Sequence, residues 1–102
     1  MNPVEVKAEI AKAFSKLGNS ANEVHSYLAS RGIKGQAYEA KRCPIANFLK
    51  KEVPSLTTVS VSSSGLCASF PGGTIDTDVP KAVANFIWAF DQGSYFFDLR
   101  EG

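Results

Sequence analysis

The sequence is poor in the residues from which most small chemical sites are built. It has one histidine and two cysteines in 102 residues, and neither cysteine belongs to a Cys-x-x-Cys pair or to a Cys/His cluster with zinc spacing. Glycine-rich phosphate loops and the serine turn of hydrolases are also absent. These absences predict a protein without a bound metal, a cofactor or an enzymatic centre.

Long apolar runs are missing as well. No stretch approaches the roughly 20 apolar residues that a membrane span needs. The first residues, Met1 to Glu5, lack the basic-then-apolar layout of a secretory signal. We therefore expect a cytoplasmic protein that makes no membrane contact, with Cys43 and Cys67 as reduced thiols.

What is present is an ordinary globular composition. With 44% hydrophobic and 21% charged residues, the chain is predicted to form a single domain over residues 1–102. The net charge of +1 argues against a dedicated nucleic-acid binder, but residues 34–52 are mainly basic and residues 74–102 mainly acidic. This asymmetry favours either a charged partner, head-to-tail self-association or simply a solvated surface.

Apolar residues at helical spacing predict two helices in the first third of the chain. The first is expected to end at Gly18. The second opens with a capping box, in which the Ser20 hydroxyl accepts from the Glu23 amide and the Glu23 carboxylate accepts from the Ser20 amide. Gly32 followed by apolar Ile33 predicts a Schellman end for this helix.

A cysteine that directly precedes a proline marks the third helix. Because the residue before a proline is driven out of the α region, Cys43 is predicted to be the N-cap and Pro44 the first helical residue. The helix amides, with Lys41 and Arg42, are expected to lower the pKa of the Cys43 thiol. A nucleophile also needs a base, and the single histidine, His25, lies in another helix. A structural cap is therefore favoured, with a reactive thiol as a remote alternative.

After the third helix the apolar period changes from helical spacing to two. The runs Leu56–Val61 and Leu66–Phe70 predict a β-hairpin, to which Thr74–Ile75 can add a third strand. A fourth helix is expected to open with Pro80 at or near its first position, and Asp76 and Asp78 are expected to favour the positive end of this helix as capping residues. The predicted fold class is α+β, with about four helices and a small antiparallel hairpin or three-stranded sheet between helices 3 and 4. This is a winged-helix-like element order.

That element order raises DNA binding as an alternative function. The third helix and its approach hold residues for anion or nucleic-acid contact, and outside this set only Asn47 could read a base. The hairpin loop has no cation for a phosphate group. The candidate contact residues are Lys41, Arg42, Cys43, Lys50 and Lys51.

An aromatic C-terminal region favours a protein interface instead. Trp88 falls off the apolar stripe of its helix, and aromatic residues with a nearby arginine are typical of interface hot spots. The candidate interface residues are Trp88, Tyr95, Phe96, Phe97 and Arg100. Alternatively, Trp88 packs under the C-terminal segment. The leading prediction is a small non-enzymatic interaction or regulatory protein that binds a host protein or a second copy of itself, through this aromatic region or through the basic end of the third helix.

Three segments carry a resemblance to a known group of proteins. They are the Gly-Ile-Lys-Gly loop that begins at Gly32, the Cys-Pro-Ile-Ala-Asn-Phe-Leu segment that begins at Cys43, and the Phe-Asp-Gln-Gly-Ser-Tyr segment that begins at Phe90. Their combination resembles small uncharacterised proteins of actinobacteria and their phages. The resemblance implies a chromosomal or prophage-borne accessory protein and no activity, so it assigns no functional residue.

Overall fold

The computed structural model describes residues 2–93 and 95–100, and within them it contains four α-helices and three β-strands. Ser94 of the C-terminal segment lies outside the described residues. A 3-10 turn at Phe97–Leu99 follows the last helix. The helices are α1 (Pro3–Ser15), α2 (Ala21–Ser30), α3 (Pro44–Glu52) and α4 (Lys81–Asp91), and the strands are β1 (Thr58–Ser62), β2 (Gly65–Phe70) and β3 (Gly73–Thr77). The α+β prediction, with a sheet between helices 3 and 4, is confirmed.

Local capping signals set the ends of α2. The Ser20 hydroxyl accepts from the Glu23 amide at 3.2 Å, as expected, but the Glu23 carboxylate accepts from the Asn19 amide at 2.8 Å rather than from Ser20. At the other end, the Ile33 amide donates to the Leu28 carbonyl at 3.0 Å, which is the long bond of a Schellman motif. The predicted end of α2 is confirmed, and half of the predicted capping box is wrong.

The start of α4 agrees only in part with the sequence-based expectation. Pro80 is the N-cap, directly before the first helical residue Lys81, as expected, and it makes no side-chain capping bond. Asp76 lies in β3, where its backbone is already extended, and no acidic residue occupies the first turn of α4. The two carboxylates before the helix therefore do not cap it, because the sheet continues to Thr77 and leaves only a short linker.

The three strands form one antiparallel sheet in the order β1-β2-β3. Val59 and Val61 of β1 face the helices, and Ser60 pairs with Cys67 and, through it, with Asp76 on the solvent face. The alternation of apolar and polar residues is that of a sheet with one buried face. One face of the sheet is therefore polar and open to solvent.

The buried side chains of all the helices and strands form one continuous apolar core. Its largest fully buried side chains include Phe48 of α3 and both Phe86 and Phe90 of α4. No polar or charged residue is buried within the described ranges. In the same ranges, no helix combines the length and the apolar character needed to cross a membrane.

Candidate functional site

Cys43 sits at the start of α3 as predicted, but its side chain is buried. Its Sγ accepts from the Ala46 amide at 3.4 Å, and only 3% of the residue is exposed. Burial raises the pKa of the Cys43 thiol, and the backbone hydrogen bonds that favour the thiolate do not offset it. The expected lowering of this pKa is therefore wrong. The free-energy cost of removing the thiolate from water exceeds the stabilisation that the helix amides give it.

The other candidate groups around α3 are partly bonded and partly free. Lys41 and Arg42 are exposed, and the Arg42 guanidinium approaches the Glu39 carboxylate no closer than 3.9 Å. The Asn47 side-chain amide donates to the carbonyls of Lys34 at 2.7 Å and Arg42 at 3.2 Å. The Lys50 ammonium donates to the Lys41 carbonyl at 3.4 Å. Asn47, the one residue expected to read a base, thus ties the loop before α3 to the helix.

The outward strip of α3 is narrow. Five of its nine residues are buried, which leaves Asn47, Lys50, Lys51 and Glu52 toward solvent. Lys51 lines a groove of about 450 Å³ together with Lys34, and the Glu52 carboxylate pairs with Lys16 at 3.0 Å. This helix is mainly a core element with two lysines at its end.

The C-terminal segment 95–100 is docked on α2 and α4. The Phe96 ring stacks on His25 at 4.8 Å and on Phe86 at 5.1 Å between centroids. The His25 Nε2 lies 2.8 Å and 2.9 Å from the two carboxylate oxygens of Asp98. Leu99 is buried. His25, which the sequence left without a partner, therefore holds the end of the described chain in place.

Two of the expected interface residues are part of this docking. Phe96 is half-buried between two rings, with a left-handed φ of 56°. The Arg100 guanidinium lies 5.7 Å from the centre of the Phe90 ring and donates to the Phe90 carbonyl at 3.4 Å. Both side chains support the structure of the segment and are less available to a partner than the sequence implied.

Three of the expected interface residues keep their rings in solvent. Trp88 is 60% exposed, Tyr95 is 55% exposed and Phe97 is 69% exposed. The alternative that Trp88 packs under the C-terminal segment is therefore wrong. Most of the candidate interface remains available for contact.

The structure adds one aromatic residue that sequence reasoning missed. Tyr38 is 74% exposed and has a left-handed φ of 61°, and its amide donates to the Asp91 carboxylate at 2.9 Å. Its loop therefore lies against the end of α4. Nothing in the local sequence signals this contact, which joins residues 53 positions apart. Tyr38, Trp88, Tyr95 and Phe97 are called the exposed aromatic set below.

The three segments that carry the resemblance lie together in space. A Cβ on Gly35 would clash with the backbone of Arg42, Cys43 and Pro44, so the first segment is in close contact with the second. Asp91 of the third segment lines a cavity of about 200 Å³ with Cys43. The segments thus form one structural junction, which gives their combination a packing reason.

Within residues 2–93 and 95–100, no group of three or more His, Cys, Asp or Glu side chains is arranged to hold a metal ion. A scan against protein-family models and searches of the curated proteins and the solved structures find no match to this chain.

Proposed function

We propose that this protein is a small interaction module that binds another protein through the exposed aromatic set. The observation that carries the proposal is that four aromatic side chains, each more than half exposed, lie on α4, in the segment after it or in a loop bonded to it. Aromatic side chains supply large contact area at low entropy cost, which is why they are enriched at interface hot spots.

The backbone beneath these rings supports the proposal. The Asp91 carboxylate accepts from the Tyr38 amide, and the His25–Asp98 pair and the Phe96 stack hold the segment that carries Tyr95 and Phe97. A surface held in this way loses less conformational freedom on binding than a flexible tail, so more of the contact energy appears as affinity.

The partner class follows the earlier prediction, a host protein or a second copy of this chain. The resemblance to actinobacterial and phage proteins adds a phage-encoded accessory role to the proposal. The test of the surface does not require the partner to be identified in advance.

The surface is tested by comparing Trp88→Ala and Phe97→Ala with Val4→Ala. Val4 is 77% exposed on α1 and serves as an exposed apolar control outside the set, although its truncation removes less surface than that of an aromatic ring. Each protein is used for capture from the native host with mass spectrometry and for sedimentation equilibrium. We expect the first two variants to weaken a partner or a dimer about tenfold or more, and Val4→Ala to leave it unchanged.

Circular dichroism and thermal melts of all three variants accompany the binding measurements. Partner binding that survives both aromatic substitutions contradicts the proposal. So does loss of folding in Trp88→Ala or Phe97→Ala, because those rings would then stabilise the fold rather than contact a partner.

A further inference from the structure

The two edges of the sheet differ in how their backbone groups are satisfied. On the β1 edge, the Val61 amide donates to the Ala40 carbonyl at 3.0 Å, so the loop before α3 covers part of that edge. On the β3 edge, no hydrogen bond within the described ranges joins residues 71–79 to a segment outside the sheet. The β3 edge is therefore the open one.

The strand register shows which groups of β3 face outward. Because the Val61 amide points away from β2, Val61 and Leu66 form a non-hydrogen-bonded pair. Alternation along β2 then directs the backbone groups of Leu66, Ala68 and Phe70 toward β3. It follows that the N–H and C=O groups of Thr74 and Asp76 point to the open edge.

A groove runs between this end of β3 and α1. It has a volume of about 520 Å³ and includes Ile10 and Phe14 of α1, Thr77 at the end of β3 and Val79 after the strand. The charged residues Lys7 and Asp78 line it as well. Ile10 and Phe14 belong to the apolar core, and Val79 packs against it. A strand added to β3 would direct alternate side chains toward the helix side, where this groove offers apolar contact.

The opposite, solvent-facing side of the edge is acidic. Asp76 and Asp78 line a shallow concavity of about 590 Å³ with the polar side chains of the sheet, and Lys7 is the one cation among its described lining residues. An added strand would place its other set of side chains over these carboxylates. Opposite charges on neighbouring strands stabilise pairing, whereas like charges oppose it.

We propose that the β3 edge binds an extended peptide in which basic residues alternate with apolar ones. The peptide adds a fourth strand beside β3, with main-chain hydrogen bonds to Thr74 and Asp76. Its basic side chains face Asp76 and Asp78, and its apolar side chains enter the groove beside α1. This surface is separate from the exposed aromatic set, so the two proposals succeed or fail independently.

The probe is the capped hexapeptide Lys-Val-Lys-Ile-Lys-Val, titrated into the isotope-labelled protein with NMR detection. We expect the amides of Thr74 and Asp76 to shift and to gain protection from hydrogen exchange, because they become hydrogen-bonded. The amide of Ile75 already points toward β2 and should change less. Absence of binding to this peptide overturns the proposal.

Two N-methylated forms of the peptide separate strand pairing from simple charge attraction. In one form, methyl groups on alternate amides block the hydrogen bonds to β3. In the other form, the methyl groups are on the remaining amides and point to solvent. Both forms carry the same charge. We expect one form to bind about tenfold more weakly than the other. Equal binding of the two forms overturns the proposal.

Thr74→Pro removes the outward N–H of the edge without removing a bond to β2, since a proline is tolerated where an edge amide faces solvent. Thr74→Val keeps the N–H and serves as the matched control. Weaker binding by Thr74→Pro alone supports the proposal, with unchanged amide spectra elsewhere as the check on folding.

The amides of Thr74 and Asp76 are also followed at several protein concentrations without peptide. Concentration-dependent protection of these amides overturns the proposal, because the edge would then pair with a second copy.

Discussion

The sequence indicated contact residues both at the entrance of α3 and in the aromatic C-terminal region, and the structure leaves the key side chains of these two regions in different environments. At the entrance, Cys43 is buried and Asn47 is bonded to two backbone carbonyls, so these two groups serve the fold, whereas Lys41 and Arg42 remain exposed. At the end of α4, Trp88 and Phe97 are exposed although an apolar ring gains most from burial. Residue type indicates what a side chain can do, and only its surroundings decide whether it is free to do it.

Gly35 lies where the two regions meet, and its replacement should have the largest effect. Its amide donates to the Leu99 carbonyl at 2.8 Å, and a Cβ there would collide with the backbone of Arg42, Cys43 and Pro44. We expect Gly35→Ala to lower the free energy of unfolding by about 3 kcal/mol. Urea denaturation of the variant and the parent protein measures this loss.

Gly32→Ala is the control for that substitution. Gly32 has a left-handed φ of 67° but open space around it, so alanine there costs about 1 kcal/mol of backbone strain alone. Equal losses from the two variants would show that Gly35 matters only as a flexible residue and that the two regions are not held together through it.

Substitution of Phe96 and of Trp88 distinguishes side chains that stabilise the fold from side chains that are free to contact a partner. Phe96→Ala removes two ring stacks and should destabilise the protein by about 2 kcal/mol, less than a fully buried phenylalanine because the ring is half-buried. Trp88→Ala should change stability by no more than about 0.5 kcal/mol, since its ring is mostly in solvent. Thermal denaturation of both variants provides the comparison. A reversed order would mean that Trp88 stabilises the fold and Phe96 does not.

The two thiols give a pH-dependent comparison. A hydrogen bond to Asp76 raises the pKa of the exposed Cys67 thiol, so less thiolate is present at a given pH and alkylation is shifted to higher pH. We expect Asp76→Asn to lower that pKa and to speed the alkylation of Cys67 at pH values below it. Iodoacetamide labelling followed by mass spectrometry measures the rate at each site.

Cys43 is the internal reference in the same labelling experiment. Because it is buried and burial raises its pKa, it should react only when the protein unfolds, in the parent and in Asp76→Asn alike. Rapid labelling of native Cys43 near neutral pH would restore the reactive thiol that the structure argues against.

The lysines at the end of α3 should have the smallest effect. Lys50→Ala with Lys51→Ala is expected to change stability by no more than about 0.5 kcal/mol, because both side chains are exposed. Fluorescence anisotropy with a labelled duplex, at low and at physiological salt, tests the DNA-binding alternative on the same proteins. Steeply salt-dependent binding that the double variant loses would place the basic end of α3 ahead of the aromatic set.

Most helix boundaries could be predicted because their causes lie within a few residues. The Cys43-Pro44 pair set the start of α3, and the Gly32-Ile33 pair set the end of α2, through backbone preferences that act locally. The start of α4 was less accessible. Aspartate is favoured at helix starts and depleted in strands, yet pairing with β2 placed Asp76 in β3.

The candidate sites were predictable only in part, because exposure and partners depend on distant residues. The sequence identified Trp88 and Phe97 but could not foresee that Phe96, between Tyr95 and Phe97, would be enclosed by rings from α2 and α4. It also gave no sign that Tyr38 would lie against Asp91. Such contacts join segments far apart in the chain, so no local pattern records them.

The sequence by itself determined the α+β class, the four helices, the apolar face of the sheet and the cap at Cys43, since spacing and turn chemistry act over short range. Tertiary structure decided which polar and aromatic groups remained free. Burial raised the pKa of the thiol that local dipoles would have lowered, and long-range docking covered Phe96 while leaving its neighbours exposed. Both outcomes follow from solvent exclusion, which is a property of the packed chain as a whole.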